Sequence, residues 1–274
     1  MVEKPLVSVV VPTRNSAATL EACLKSIKRQ SYSSVELIVV DNNSSDGTRD
    51  IARYFADLVL VKGPERSAQR NCGADSANGA FLLMIDSDME LDERVIESCV
   101  ECAIANPEFG GVVIPEESFG EGFWSQCKKL ERSFYVGVPW LEAARFFGKF
   151  VYATVGGYNE RLISGEDWDL SMRIEQVGML YRTSEYIRHY EGRVTLWGTL
   201  RKKYYYAQHA RAFLSCNPQN SKISAKVGPI ERYKLFFSRP DRLFERPVLG
   251  LGMLFMKTCE FAFGGLGFVF SWRH

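Results

Sequence analysis

The chain has 274 residues, 46% hydrophobic and 24% charged, long enough to bury a core in one large or two small domains and unlike a disordered chain. Its formal net charge of +1 hides a division: residues 1–187 carry 19 Lys and Arg against 28 Asp and Glu, and residues 188–274 carry 15 against 5. The acidic body argues against nucleic acid as a partner, while the basic, aromatic tail suggests contact with an anionic surface.

Leu6–Pro12 is a continuous β-branched run, the pattern of a strand buried on both faces. Thr19–Gln30 has helical spacing at Leu20, Cys23, Leu24 and Ile27, and Val35–Val40 is a second strand. Asp41–Thr48 is a loop that caps a helix over Arg49–Ala56, and Leu58–Val61 is a third strand. A helix over Ser67–Ser76 leads to a fourth strand, Ala80–Ile85, closed by Asp86-Ser87-Asp88. Strands alternating with helices of this length give βαβ units and a parallel sheet. Beyond Gly111 the rhythm changes: a strand over Val112–Pro115, a long helix around Gly122–Tyr135, then irregular chain to Phe150. Val151–Val155 has the composition of a strand, and Asp167–Val177 places Leu170, Ile174 and Val177 on one helical face.

The tail turns basic and aromatic after Thr195, with Arg201, Lys202, Lys203, Arg211 and Tyr204–Tyr206, and ends in the apolar segment Val248–Trp272. Lys257 and Glu260 split that segment into runs of 9 and 11 residues, Val248–Met256 and Phe261–Ser271, each short of the ~20 that span a bilayer. Five glycines weaken it further as a regular span. Interfacial docking on a membrane is the favoured expectation, with packing on the domain or a homodimer contact as alternatives. The expected division is a catalytic domain over 1–195 and an appendage over 196–274 that meets the acceptor or the membrane. Seven cysteines, scattered and odd in number, suit a reducing compartment; Cys99 and Cys102 lack a second pair that would make a zinc site. The apolar run Val7–Val11 is too short for a signal peptide, so the expected location is cytoplasmic, peripheral at the inner face of the cell membrane.

In an open parallel sheet, ligands bind beyond the carboxyl ends of the strands. Those ends here carry Thr13, Arg14 and Asn15, then Asp41, Asn42 and Asn43, then Asp86 and Asp88. Two carboxylates at a strand exit can share a divalent ion that keeps positions open for phosphate oxygens, although a polar loop capping the next helix gives the same pattern. P-T-R-N-S-A-A-T after the first strand is neither G-x-G-x-x-G nor a Walker loop, which sets aside a dinucleotide oxidoreductase and a P-loop kinase. Glu166, Asp167 and Asp169 form a second acidic cluster after Val155-Gly156-Gly157-Tyr158. Acids in a first helical turn stabilise the dipole, but a carboxylate there can also act as general base on an incoming hydroxyl.

Taken in order, V-S-V-V-V-P-T-R-N, V-D-N-N-S-S-D-G-T, A-Q-R-N-C-G, I-D-S-D, V-G-G-Y-N-E and G-E-D-W-D-L-S-M-R resemble the family-2 glycosyltransferases of GT-A fold over roughly residues 5–180. Trp168 and Asn159 are less usual within their blocks. The resemblance implies an α/β fold with a mostly parallel nucleotide-binding sheet flanked by helices and followed by a helical appendage. It implies that Pro12, Thr13 and Asn15 line the nucleotide pocket and that Asp41 accepts the base's ring N–H, most often uracil's. Arg70 would face the nucleotide and its phosphates, Asp86 the ribose or the metal, and Asp88 the metal, Mn²⁺ or Mg²⁺. Asp167 would be the catalytic base, with Glu166 positioning acceptor or donor sugar. His189 would join the metal or diphosphate, unless it is a structural histidine. The implied activity is inverting transfer from a nucleoside-diphosphate sugar to a hydroxyl of a lipid-linked or surface glycan. A polyisoprenyl-phosphate acceptor and a non-catalytic sugar-nucleotide-binding scaffold are the alternatives.

Overall fold

The N-terminal β-branched run lies in the middle of a sheet in the computed structural model, which describes residues 4–216 and 228–270. The elements in chain order begin β1 (Val7–Thr13), α1 (Ala17–Lys28), β2 (Val35–Asp41), α2 (Thr48–Phe55), β3 (Leu58–Val61), α3 (Arg66–Ser76) and β4 (Phe81–Met84). They continue with β5 (Met89–Leu91), α4 (Val95–Ala105), β6 (Phe109–Val113), β7 (Glu116–Phe119), α5 (Phe123–Ser133), β8 (Ala144–Gly148) and α6 (Lys149–Thr154). The last are α7 (Glu166–Ile174), β9 (Met179–Arg182), β10 (Ile187–Tyr190), α8 (Leu196–Cys216), α9 (Pro229–Phe237), α10 (Pro240–Phe244) and α11 (Pro247–Phe270). The chain forms two compact units: the first takes the chain up to Glu116, Ala143–Glu160 and Glu166–Tyr190, and the second takes Glu117–Glu142, Arg161–Gly165 and the chain from Glu191.

In the first unit a seven-stranded sheet runs β3-β2-β1-β4-β8-β6-β9. β1 pairs in parallel with β2 and β4, and β2 with β3, so their carboxyl ends share one edge. Side chains alternate across a strand: Val7, Val9 and Val11 pack with Leu20, Leu24 and Ile27 of α1 and Val95 of α4, while Val10 packs on the other face with Ala74 of α3 and Leu170 and Ile174 of α7. β8 runs antiparallel between β4 and β6, with Leu82 opposite Phe147. This strand occupies chain expected to be irregular, because Ala144, Phe146 and Phe147 are all buried in the sheet. Val151–Val155, expected as a strand, is instead mostly α6: the Val155 N–H donates to the Val151 carbonyl, and Gly156, at φ +80, ends the turn. Tertiary context overrides β-branched propensity there.

In the second unit, Cys127 and Phe134 from the α5 region, Phe236 of α9, Leu243 of α10 and Met253 and Met256 of α11 form the core. The C-terminal apolar segment is not two short runs but one helix of 24 residues. Lys257 and Glu260 do not interrupt it because both turn inward: the Lys257 Nζ reaches Glu131 and, at 2.8 Å, Glu260, while the Lys128 Nζ reaches Glu131 at 2.8 Å and Glu260 at 3.4 Å. Ser271 and Trp272, at the end of the expected segment, lie outside the described residues, as does the side chain of Arg211.

α3 rides close over β1 because Gly73 has no side chain: a Cβ there would lie 2.3 Å from Val10 Cγ1. Gly73→Ala should therefore overpack this face and destabilise the fold by about 1–3 kcal/mol, read as a lower urea midpoint with unchanged slope.

Candidate active site

The parallel register sets Thr13 beside Asp41 at the ends of β1 and β2. Asp41 is wholly buried and accepts from the Thr13 hydroxyl at 3.2 Å, the Ser44 N–H at 2.9 Å and the Ser44 hydroxyl. Asn15, at φ +50, accepts from the Ser45 N–H at 2.9 Å while its own N–H donates to Ser44 Oγ at 2.8 Å. Asparagine tolerates this left-handed backbone better than most residues. Pro12, Thr13, Asn15 and Asp41, expected at the nucleotide, are thus brought together at one edge of the sheet, with Asp41 holding the loop that follows β2.

Asp86 and Asp88 leave β4 and divide. Asp86 accepts from Arg70 Nη2 at 2.6 Å through Oδ1 and lies 3.6 Å from Arg145 Nη1 through Oδ2. Burial alone would raise its pKa, but Arg70, Arg145 and Arg66 outweigh that and hold the carboxyl well below the usual carboxylate range. Asp88 is more open, its side chain 42% exposed, and its Oδ2 is 3.3 Å from His189 Nε2. The pairing of β5 with β10 sets His189 opposite Met89, next to Asp88. Glu116 completes this corner, with Oε2 3.7 Å from His189 Nδ1 and Oε1 accepting from Arg145 Nε at 2.7 Å.

Arg70 binds the two acidic motifs together. Its guanidinium is entirely buried, stacks 4.9 Å from the Tyr158 ring centre, and donates through Nη1 to Asp167 Oδ1 at 3.0 Å while Nη2 holds Asp86. The side chain expected to face the phosphates is thus engaged by carboxylates. The Tyr158 hydroxyl also donates to Asp167 Oδ1, at 3.1 Å. Both bonds to Asp167 fall on one oxygen, and the side chain is 27% exposed. Glu166 lies deeper, 3.1 Å from Arg66 and 3.6 Å from Arg70. Burial, and then the charge of Asp167, raise its pKa against the pull of both arginines.

Sequence reasoning missed Arg145, Glu116, Tyr158 and Arg66 as members of this network. Arg145 carried one signal, a lone charge in the apolar run A-R-F-F-G; Tyr158 carried another, its place directly after the Gly156-Gly157 turn. Among the described residues no three His, Cys, Asp or Glu side chains converge as a complete metal cage. Asp88 and His189 offer one oxygen and one nitrogen side by side, which fits a divalent ion that fills its other positions with phosphate oxygens and water.

The fold is shared with solved glycosyltransferases. The mannosyltransferase PcManGT of Pyrobaculum calidifontis, solved with GDP-Man and Mn²⁺, superposes with TM-score 0.61 at 16% identity, covering 98% of this chain and 88% of its own. S. aureus TarS 1-349, solved with UDP-GlcNAc, gives 0.53 at 18% identity, covering 98% and 91%. The architecture is that of the GT-A glycosyltransferases. The profile of glycosyl transferase family 2 matches residues 8–153. A Mycobacterium bovis PGL/p-HBAD biosynthesis glycosyltransferase is 32% identical over 181 residues, 62% of this chain and 69% of that relative. The GalNAc(5)-diNAcBac-PP-undecaprenol beta-1,3-glucosyltransferase of Campylobacter jejuni is 31% identical over 158 residues, 53% of this chain and 50% of its own. The chain belongs to glycosyl transferase family 2 and is a glycosyltransferase.

Because the folded-state pKa of Asp86 is depressed, its contribution to stability is complete above the unfolded value near 4 and is lost as pH falls toward the folded value. Asp86→Asn should cost about 3 kcal/mol at pH 7 by leaving Arg70 and Arg145 without their shared counter-ion. In thermal melts from pH 7 to pH 3, the gap between wild type and variant should narrow on the acid side.

Proposed function

We propose that the chain moves a sugar from a nucleoside-diphosphate sugar, UDP-linked, to a hydroxyl of a lipid-linked or surface glycan with inversion at the anomeric carbon. The observation that carries this reading is Asp167: Oδ1 is fixed by Arg70 and Tyr158, while Oδ2 accepts no hydrogen bond from the described residues and the side chain stays open to solvent. A carboxylate oriented through one oxygen and free at the other suits removal of a proton from an acceptor hydroxyl. The hydroxyl oxygen then attacks the anomeric carbon from the face opposite the leaving diphosphate, as water does in inverting hydrolases, and no covalent enzyme intermediate forms. Arg70 acts as a positioning residue, holding base and strand exit in one geometry. Glu166 is placed beside the base to orient acceptor or donor sugar.

Asp88 and His189 would hold Mn²⁺ or Mg²⁺, which when bound neutralises charge on the diphosphate. Glu116, facing the other ring nitrogen of His189, would orient the imidazole and fix its tautomer. Pro12, Thr13, Asn15 and Asp41 are assigned to the nucleoside side of the donor. An acceptor carried on lipid is supported by the name of the Campylobacter jejuni relative and by the apolar helix α11. Attachment is then peripheral, at the cytoplasmic membrane face.

Nucleotide release from UDP-, GDP- and dTDP-sugars, with Mn²⁺ or Mg²⁺ and with or without membrane lipid extract, tests the reading. Asp88→Ala should abolish metal-dependent release, and Asp167→Asn should lower it by about 10²–10⁴-fold. Release that survives Asp167→Asn would identify a phosphate acceptor, which needs no strong base. No release and no stabilisation by nucleotide would leave a scaffold. Separately, Glu116→Gln should weaken Mn²⁺ binding by about 10–100-fold in titration calorimetry, whereas unchanged affinity would make Glu116 purely structural.

A further inference from the structure

Helix α11 has one buried face and one exposed apolar face. The residues it buries are Gly250, Met253, Met256, Lys257, Glu260 and Gly267. The glycines let neighbours come close: a Cβ at Gly250 would lie 2.1 Å from the Leu243 carbonyl oxygen, and one at Gly267 would lie 2.4 Å from that of Tyr204. Five apolar side chains lie on the opposite side, while Leu249 and Leu254 pack partly into the core. Val248 is 72% exposed, Leu251 61%, Phe255 56% and Val269 61%, and Leu266 lies with them. These five recur at intervals that keep them on one side of a helix.

The helix thus packs through glycines, methionines and a charged pair on one face and leaves large apolar side chains uncovered on another. A continuous exposed apolar stripe on a soluble protein marks an interaction surface. Two features select lipid as the occupant and set the geometry. Exposed cations lie nearby: Arg246 at the helix start, next to exposed Glu245, and Arg201 and Lys202 on α8, which packs along α11. They complement an anionic headgroup layer. The helix is also pinned at its middle, since buried Lys257 and Glu260 are paired with Glu131 and Lys128 of α5. Crossing a bilayer would carry this charged cluster into hydrocarbon or pull it apart, although 24 residues are long enough to span.

We infer that α11 lies in the plane of an anionic bilayer, its Val248–Leu251–Phe255–Leu266–Val269 stripe at the boundary between headgroups and acyl chains, and does not cross. The inference rests on the reading of a membrane-associated transferase and specifies how the contact is made. The test is flotation with vesicles of phosphatidylcholine alone or with phosphatidylglycerol, followed by an alkaline carbonate wash. Wild type is compared with Leu251→Ser/Phe255→Ser/Val269→Ser, which changes only exposed side chains outside the site. Wild type should float at least about tenfold more with the anionic vesicles and be released by carbonate, and the variant should stay in solution. Retention after carbonate would show a spanning helix and overturn the inference. So would unaltered flotation of the variant, or a wild type that ignores vesicles and instead forms a dimer that the variant lacks. Nucleotide release in vesicle-free buffer reads the transferase proposal separately: if it is absent while flotation behaves as expected, the proposed function fails and the membrane geometry stands.

Discussion

The pairing of one buried guanidinium with two carboxylates from distant parts of the chain is the constraint around which the site is arranged. Arg70 lies in α3, Asp86 at the exit of β4 and Asp167 at the start of α7. A guanidinium removed from water is costly unless every direction it faces is occupied by an acceptor or an aromatic ring. Asp86, Asp167 and the Tyr158 ring meet its two terminal nitrogens and its face, with Glu166 close by, and only Nε finds no partner among the described residues. The same pairing fixes which oxygen of Asp167 is spent on structure. Stability and the geometry of the candidate site therefore share atoms here.

The sheet explains how such a pairing can form. Parallel β1, β2 and β4 bring Thr13, Asp41 and Asp86 to one edge, but parallel strands deliver only the residues at their ends. Antiparallel β8 adds something different: it begins at that edge, so Arg145 near its start arrives beside Asp86. Arg145 then passes the contact on through Glu116 to His189 and Asp88. A chain of close polar contacts thus runs from the open carboxylate after β4 to the carboxylate at the start of α7.

Much of this was legible in the sequence because it rested on local rules. β-branched runs marked β1 and β2, and acidic residues after an apolar strand marked Asp86 and Asp88. What stayed hidden depended on partners far along the chain. The Val151–Val155 composition favours a strand, yet the segment leaves the sheet as helix after Lys149, whose N–H still donates to the Ala80 carbonyl at the end of the β4–β8 pairing. The division of labour between Asp86 and Asp88 could not be read from D-x-D, since it is set by Arg70 and Arg145. Likewise, Lys257 and Glu260 look like interruptions of a helix until Glu131 and Lys128, more than a hundred positions earlier, are seen to receive them.

The chain passes between the two units five times, and four of those passages fall within two residues of Glu116, Arg145, Glu166 or His189. The Glu116–Arg145 ion pair also ties together the two ends of the excursion Glu117–Glu142. The segments of the second unit are therefore joined to the first beside residues of the candidate site, as a load is hung from a few pegs. Tension on its segments reaches α7 and β10 along covalent bonds. Another second unit joined at the same five points would pull on the backbone beside Glu116, Arg145, Glu166 and His189 even if each of those side chains were kept.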